Sequence, residues 1–409
     1  MSRTAEWVWI VGACALVHLL YSSVQPVTSR HDGLAYDGQI YFAVAQQTPR
    51  QLPPKAPAPF VYRIGTPMAA AAIAKSQDRV LAEGFDTVNR LAATATVLLF
   101  AWWLQGHLPS TAWRIAIVIL FMLTPHAPLR FGYHYPINVD AAGLMFIMAG
   151  LVALDWLAAR WTLPRVLALT ALVAVGVVFR EIVLLIGLAC LVSPRGPTRE
   201  APKWLAVLPL LAGTATYLLI RAWVTATPAG YGELAEVWRW IQTKSVVQVV
   251  LAWLLVFGPM LIVPLCYPAE QARLLASRPD WVVVLAMIGV ISAVGGSDTE
   301  RLAVFAAPIV YLLIGRALAG TPFSLASSAM ALLILAQLIS ARVFLPIGVQ
   351  IVPPHVADTE WNRVPSFLRW LSDYDSLWTQ FCGPEVPRAY LLWFGASAIA
   401  IGAALWMVP

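Results

Sequence analysis

Twelve apolar stretches constrain the fold of this chain more than any motif does. They lie near residues 7–23, 88–104, 113–125, 139–158, 166–179, 181–193, 204–220, 247–265, 281–295, 302–315, 325–345 and 389–408. A backbone surrounded by hydrocarbon must satisfy its own N–H and C=O groups, so stretches of this kind cross lipid as helices. Composition agrees: 60% of the 409 residues are hydrophobic and 12% are charged, with a mean hydropathy of +0.73. A soluble domain of this length needs more charge to cover its surface. The expected fold class is therefore an all-α polytopic membrane protein of about twelve transmembrane helices, forming a single transmembrane domain over 1–409. The first stretch lacks a small-residue cleavage site and reads as a retained anchor. No internal repeat or low-complexity linker divides the chain.

Charge sets the expected orientation. Short loops carrying Arg160 and Arg165, then Arg195, Arg199 and Lys203, then Arg273 and Arg278 all fall on the side of the N-terminus. Basic short loops mark the cytoplasmic face, so both termini are expected there. Three long segments, 24–87, 221–246 and 346–388, then face outward. They mix aromatic, proline and charged residues, as in Trp238-Arg239-Trp240 and Trp361-Asn362-Arg363, and read as membrane-surface helix and loop. The net charge of +6 is spread over many loops, which argues against a nucleic-acid partner and suits anionic membrane lipids. A bacterial inner (plasma) membrane is the expected location. Cys14, Cys190 and Cys266 lie in or beside apolar stretches and Cys382 sits alone in a polar loop, so no disulfide framework is visible.

Polar residues interrupt this pattern at a few places. Between the first and second stretches lies His31-Asp32-Gly33-Leu34-Ala35-Tyr36-Asp37-Gly38-Gln39-Ile40-Tyr41, followed by Pro59-Phe60-Val61-Tyr62-Arg63. Two carboxylates and a tyrosine there are poor packing material but suit action on a sugar hydroxyl or a phosphate. The segment from Arg165 to Val192 carries Arg180-Glu181 at its middle. A single crossing would put Arg195, Arg199 and Lys203 outside, so two short helices turning at that pair are expected. Arms of about 12 to 14 residues reach roughly 18–21 Å, less than the roughly 30 Å of a hydrocarbon core, so the turn lies below the outer surface. Gly295-Gly296-Ser297-Asp298-Thr299-Glu300-Arg301 makes a second outward turn, and Pro125 to Asp140, with His126, Arg130 and His134, a third. Charges at membrane depth are costly unless paired or facing water. A shared outward cavity is the economical home for Asp32, Asp37, Arg63, His126, Arg130, His134, Asp140, Arg180, Glu181, Asp298 and Arg301.

The order of a short span, a long outward loop with an aromatic-Asp-Gly motif, and paired short helices with outward polar turns resembles the GT-C superfamily of integral-membrane glycosyltransferases. Locally, Tyr36-Asp37-Gly38-Gln39-Ile40-Tyr41-Phe42-Ala43-Val44-Ala45 is similar to the Trp-Asp-Gly type of first loop in mannosyltransferases of the glycolipid-anchor pathway. The likeness covers about 1–320 as a GT-C-like module, with 321–409 as C-terminal helices. Tyr36 stands where those enzymes carry Trp, and Phe60-Val61-Tyr62-Arg63 where they often carry a Phe-Phe-Pro-type run, so the sugar does not carry over. The resemblance implies a polyprenyl-phosphate sugar donor and transfer to a lipid, glycan or protein acceptor on the noncytoplasmic face. Asp37 is the expected base, Asp32 the second choice. Tyr36, Gln39, Tyr41, Arg63, His134, Asp140, Arg180, Glu181, Asp298 and Arg301 are the expected substrate-binding residues, with Arg63, Arg180 and Arg301 holding phosphate. A phosphate leaving group needs no separate general acid, unlike the carboxylate pair of a glycosidase, and a single displacement inverts the anomeric carbon. No cofactor is expected, and metal dependence stays open.

Simpler roles compete for the same residues. Asp37 before Gly38 suits a helix N-cap, and Asp32 before Gly33 a turn. Arg180-Glu181 suits an ion pair closing a hairpin, Asp298 and Arg301 a pair across one helical turn, Asp140 a cap, and Tyr62-Arg63 an interface anchor. A metal site at His126 and His134 is the weaker reading of that loop. A transporter or flippase of a lipid-linked sugar would use the same charges without chemistry, and a catalytically silent scaffold is a third alternative.

Overall fold

The computed structural model describes residues 2–28, 34, 37–48, 52–124, 126, 128–194, 201–227, 233–296, 298–319, 323–341 and 385–406. Asp32, Tyr36, Arg195, Arg199, Cys382 and most of the expected outward segment 346–388, including Trp361, Asn362 and Arg363, lie outside them.

The described chain is built from helices: α1 (Arg3–Val24), α2 (Gly38–Gln47), α3 (Gly65–Ser76), α4 (Leu81–Gln105), α5 (Thr111–Met122), α6 (Pro128–His134), α7 (Asp140–Ala159), α8 (Leu163–Phe179), α9 (Leu184–Val192) and α10 (Leu208–Trp223). There follow α11 (Glu233–Thr243), α12 (Val246–Phe257), α13 (Ile262–Cys266), α14 (Pro268–Ser277), α15 (Pro279–Val294), α16 (Thr299–Ala303), α17 (Ala307–Ala319), α18 (Phe323–Ser340) and α19 (Glu385–Trp406). Serine starts several of them by accepting an orphan backbone N–H: Ser2 from Ala5, Ser110 from Trp113 and Ser245 from Gln248. At the end of α12, Gly258 has φ +62, and a Cβ there would meet Gln337 Oε1 at 2.2 Å. Only glycine fits that position.

Each expected apolar stretch contains helix, but their lengths differ. Among the described residues, six runs are long and apolar enough to cross a membrane: Arg3–Val24, Leu81–Gln105, Asp140–Ala159, Lys203–Trp223, Val246–Cys266 and Thr299–Ala319. There are seven if α14 and α15, bent by 108°, form one span. Thr111–Met122, Leu163–Phe179, Glu181–Val192 and Arg388–Ala403 are apolar but shorter. Large apolar side chains such as Trp9, Leu16 and Leu19 on α1 and Val246 and Val247 on α12 are exposed. Such faces suit hydrocarbon, where exposure of an apolar side chain carries no hydration penalty.

Arg165 to Val192 folds as a hairpin. Helix α8 ends at Phe179, Arg180 takes an extended backbone, and Glu181–Val183 begins the return as a 3-10 turn before α9. Gly176 lies against Val183, and Gly187 against Leu210 near the start of α10. Trp161, just before α8, donates Nε1–H to the carbonyl of Pro202, just before α10. The starts of α8 and α10 are therefore at one end of the bundle and Arg180 at the other. Asp140 and Asp155 sit at opposite ends of α7, about 22 Å apart at 1.5 Å per residue. Around Asp155 gather Trp103 Nε1 at 2.6 Å, His107 Nε2 at 2.5 Å and Arg278. Polar clusters thus close both ends of an apolar layer whose core includes Leu144, Ile147, Met148, Leu151 and Leu154.

Two contacts fix the segment between α1 and α4 at the Asp140 end. Strand β1 (Lys55–Pro57) pairs in parallel with β2 (Thr225–Thr227), Lys55 opposite Thr225. This ladder brings Pro59–Arg63 beside the end of α10. Helix α3 packs on α4 at Gly84, where a Cβ would stand 2.3 Å from the Ala70 carbonyl oxygen and 3.2 Å from the Ala74 Cβ. Replacing Gly84 by Leu is expected to push α3 off α4, lowering thermal stability in detergent by about 1–3 kcal/mol, the usual cost of overpacking. Gly289→Ala, in open space on α15, should leave the unfolding midpoint within about 0.5 kcal/mol of the parent.

Candidate active site

A cavity of about 430 Å³ opens at the Asp140 end of the bundle, lined by residues from six parts of the chain. Asp37 comes from the start of α2, Phe60 and Arg63 from the 3-10 turn after β1, Arg180 and Glu181 from the α8–α9 hairpin. Tyr217 and Arg221 come from α10, Val237, Arg239 and Trp240 from α11, and Gly295, Gly296, Asp298 and Arg301 from the α15–α16 turn. Gly296 has φ +154, a backbone region closed to residues with a Cβ, and it lets this turn stay tight at the wall.

Ion pairs organise the inner wall. Arg301 donates Nε–H to Asp140 Oδ2 at 2.8 Å, and Nη1–H to Asp37 Oδ2 at 3.0 Å and Asp298 Oδ2 at 2.7 Å. Arg180 pairs with the other Asp140 oxygen. Arg63 donates Nε–H to Glu181 Oε2 at 2.9 Å, pairs through Nη2 with Oε1, and donates Nη1–H to Tyr41 Oη at 2.9 Å. Arg63 stays charged: burial works against its charge, but Glu181 and Tyr41 outweigh that and raise its pKa. Burial, and next the Asp37 carboxylate, hold the Tyr135 hydroxyl protonated well above the ordinary range of phenols. Tyr135 Oη accepts the Gly38 N–H at 2.7 Å, which pins the start of α2.

Each of the candidate residues is engaged in a defined contact. Asp37 stands at the N-cap of α2 but makes no side-chain cap hydrogen bond; its carboxylate turns to Arg301 and remains 24% exposed. Asp140 likewise bridges Arg180 and Arg301. Arg180 and Glu181, adjacent in sequence, take different ion-pair partners, Asp140 and Arg63. Asp298 and Arg301 do pair across one turn, and Arg301 reaches two further carboxylates at once.

Of the expected site residues, Asp37, Arg63, Arg180, Glu181, Asp298 and Arg301 line the cavity. Asp140 and Tyr41 are buried directly behind this wall. Gln39 and His134 are not among the lining residues: Gln39 is exposed on α2, and His134 is buried beneath the segment after α1, where Nδ1–H donates to the Pro26 carbonyl at 3.3 Å and Thr28 N–H to the His134 carbonyl. Arg130 is buried between Tyr21 and the Ala341 carbonyl, and His126 faces a small separate void that Asp140 and Arg301 also reach. Tyr217, Arg221, Arg239 and Trp240 were not expected at the site. Tyr217 and Arg221 are four residues apart on α10, and the Arg221 guanidinium lies 4.1 Å from the centroids of both the Tyr62 and Tyr217 rings. The spacing of aromatic and cation in one helix was the available signal.

Among the described residues, five arginines and three carboxylates line the cavity, so its wall carries two positive charges in excess. The arrangement suits an anionic group next to a fixed carboxylate, sheltered by aromatic rings. No family model, curated protein or solved structure matches the chain.

Asp140→Asn should cost about 3–5 kcal/mol of stability by leaving two buried arginines short of their shared counter-charge, as measured by thermal unfolding in detergent. Burial pushes the His134 pKa down to about 4, with the Arg130 charge acting the same way. Its folded value lies below its unfolded one, so its contribution is fully present above about pH 6.5 and is lost as pH falls through about 4. Roughly 3 kcal/mol should disappear over that window, and His134→Gln should flatten the acid limb of the unfolding profile.

Proposed function

We propose that the protein is an integral-membrane glycosyltransferase of the GT-C type, moving a sugar from a polyprenyl-phosphate donor to a lipid, glycan or protein hydroxyl on the noncytoplasmic face. The observation that carries this reading is Asp37, about a quarter exposed at the cavity wall and oriented by Arg301, beside a wall with excess positive charge. In the transfer, an Asp37 oxygen takes the acceptor proton while the acceptor oxygen forms its bond to the anomeric carbon. The bond from that carbon to the phosphate oxygen breaks, and the phosphate leaves with the electron pair. Charge grows on the phosphate as it departs, and positive groups already fixed in the wall stabilise it without reorganising. A single displacement inverts the anomeric centre.

The hairpin at Arg180 supports the same topology. Its returning arm, Glu181–Val192, is about 18 Å long at 1.5 Å per residue, shorter than a roughly 30 Å hydrocarbon core. A turn so placed makes the floor of an outward cavity, with the short apolar helices as partial spans and the basic short loops on the cytoplasmic side.

The test is sugar transfer by purified protein in liposomes containing a panel of polyprenyl-phosphate sugars. Asp37→Asn should lower turnover about 100-fold or more, the usual contribution of a general base, with folding and donor binding retained. Unchanged turnover would remove Asp37 from that role.

A further inference from the structure

Three helices converge beneath the cavity. Helix α9 lies against both α10 and α15, and two glycines bring it close to the first of them. A Cβ on Gly187 would stand 2.9 Å from the Leu210 backbone, and one on Gly213 would stand 2.8 Å from Leu184 Cδ2. Each helix also sends one residue to the cavity wall: Glu181 from the turn that starts α9, Tyr217 from α10 and Val294 from α15.

Residues three, four and seven positions along a helix share one face. The face that begins at Glu181 continues through Leu184 and Leu188, that of Tyr217 through Thr214 and Leu210, and that of Val294 through Ile291 and Met287. All six are half-buried. Away from this face, Leu211 and Leu218 on α10 and Val282 and Val290 on α15 are between 41% and 57% exposed. The six thus lie lower than their rims, and they form an apolar trough with α9 as its floor and α10 and α15 as its walls. From Tyr217 to Leu210, and from Val294 to Met287, each wall runs about 10 Å at 1.5 Å per residue. The trough starts where the charged lining of the cavity stops, and its rims are apolar side chains that suit hydrocarbon.

We propose that this trough holds the hydrocarbon chain of the lipid phosphate whose head group occupies the cavity. The proposal rests on the reading of the cavity as the site of a polyprenyl-phosphate donor, and it says where the chain of that donor lies: over α9, between α10 and α15. A chain in this place stays in apolar surroundings along its length, while the phosphate and sugar stay beside the charged and polar groups of the cavity wall. Between lipid and an apolar groove the hydrophobic driving force is nearly cancelled, so close packing against the six side chains supplies the preference.

Binding of farnesyl phosphate and of dimethylallyl phosphate, which carries a single isoprene unit, to the purified protein in detergent tests this without turnover. The parent should bind farnesyl phosphate about ten-fold or more tighter. Leu188→Trp, which fills the floor, and Met287→Trp, which fills one wall, should each weaken farnesyl phosphate about ten-fold and leave dimethylallyl phosphate as in the parent. Leu211→Trp, on the exposed face of α10, should change neither affinity. A farnesyl phosphate analogue with a diazirine at its chain end should label α9, α10 or α15 of the parent, a readout that stands even where a tryptophan variant does not fold. The same chain preference in the parent and both filling variants, which is what partition into the micelle alone would give, would overturn the proposal, as would labelling confined to other helices. Equal binding of the two probes by the parent would remove the trough and keep the phosphate site; binding of neither would remove both. Chain preference and labelling as expected, without any sugar transfer, would sink the transferase reading alone.

Discussion

The Arg301 guanidinium is the interaction on which the rest of the site depends. It gathers Asp37 from the first segment after α1, Asp140 from the start of α7 and Asp298 from its own turn. Asp140 then passes the constraint to Arg180 at the tip of the α8–α9 hairpin, and a second clamp, Arg63 with Glu181, ties that hairpin back to the first segment. Four separate parts of the chain are thereby held to one another by charge. In a surround of low dielectric a carboxylate or guanidinium stripped of its partner carries a large desolvation cost, so the network holds its geometry or fails as a unit.

Packing sets the frame on which this network rests. Close approach of α3 to α4 at Gly84, and of the hairpin to α7 at Gly143, where a Cβ would meet the Arg180 side chain at 2.8 Å, leaves no room for larger residues. The β1–β2 ladder aligns Pro59–Arg63 with the end of α10, so Tyr62 and Tyr217 flank Arg221. The two walls of the cavity differ in chemistry as a result. The inner wall is a salt network that orients a carboxylate, and the outer wall is cationic and aromatic.

Much of the site was legible in the sequence because charge is conspicuous in an apolar chain. Asp37, Arg63, Arg180, Glu181, Asp298 and Arg301 stand out against their surroundings, and turns too polar for a span placed them at one end. Their pairing was not legible. Arg180 and Glu181 are neighbours in sequence, but adjacent side chains leave the backbone in different directions, and each found a partner forty or more residues away. Tyr217, Arg221, Arg239 and Trp240 were not placed at the site because aromatic and basic residues at the ends of apolar helices ordinarily anchor an interface. His134 and Gln39 show the converse. A polar residue in the right turn still faces whichever way its helix directs it, and α6 turns His134 toward Pro26. The apolar stretches were legible as helices, whereas their lengths depended on where turns such as Arg180 and Gly258 interrupt them.

For the proposed transfer at a sugar–phosphate bond, the most direct measurement is stoichiometry. Liposomes holding the purified protein, a polyprenyl-phosphate sugar labelled in both sugar and carrier, and candidate acceptors would be assayed for both products together. The account predicts one free carrier phosphate for each sugar transferred, with inverted configuration at the new bond. Movement of the intact labelled donor between leaflets with no carrier phosphate released would contradict it and make the cavity a transport site.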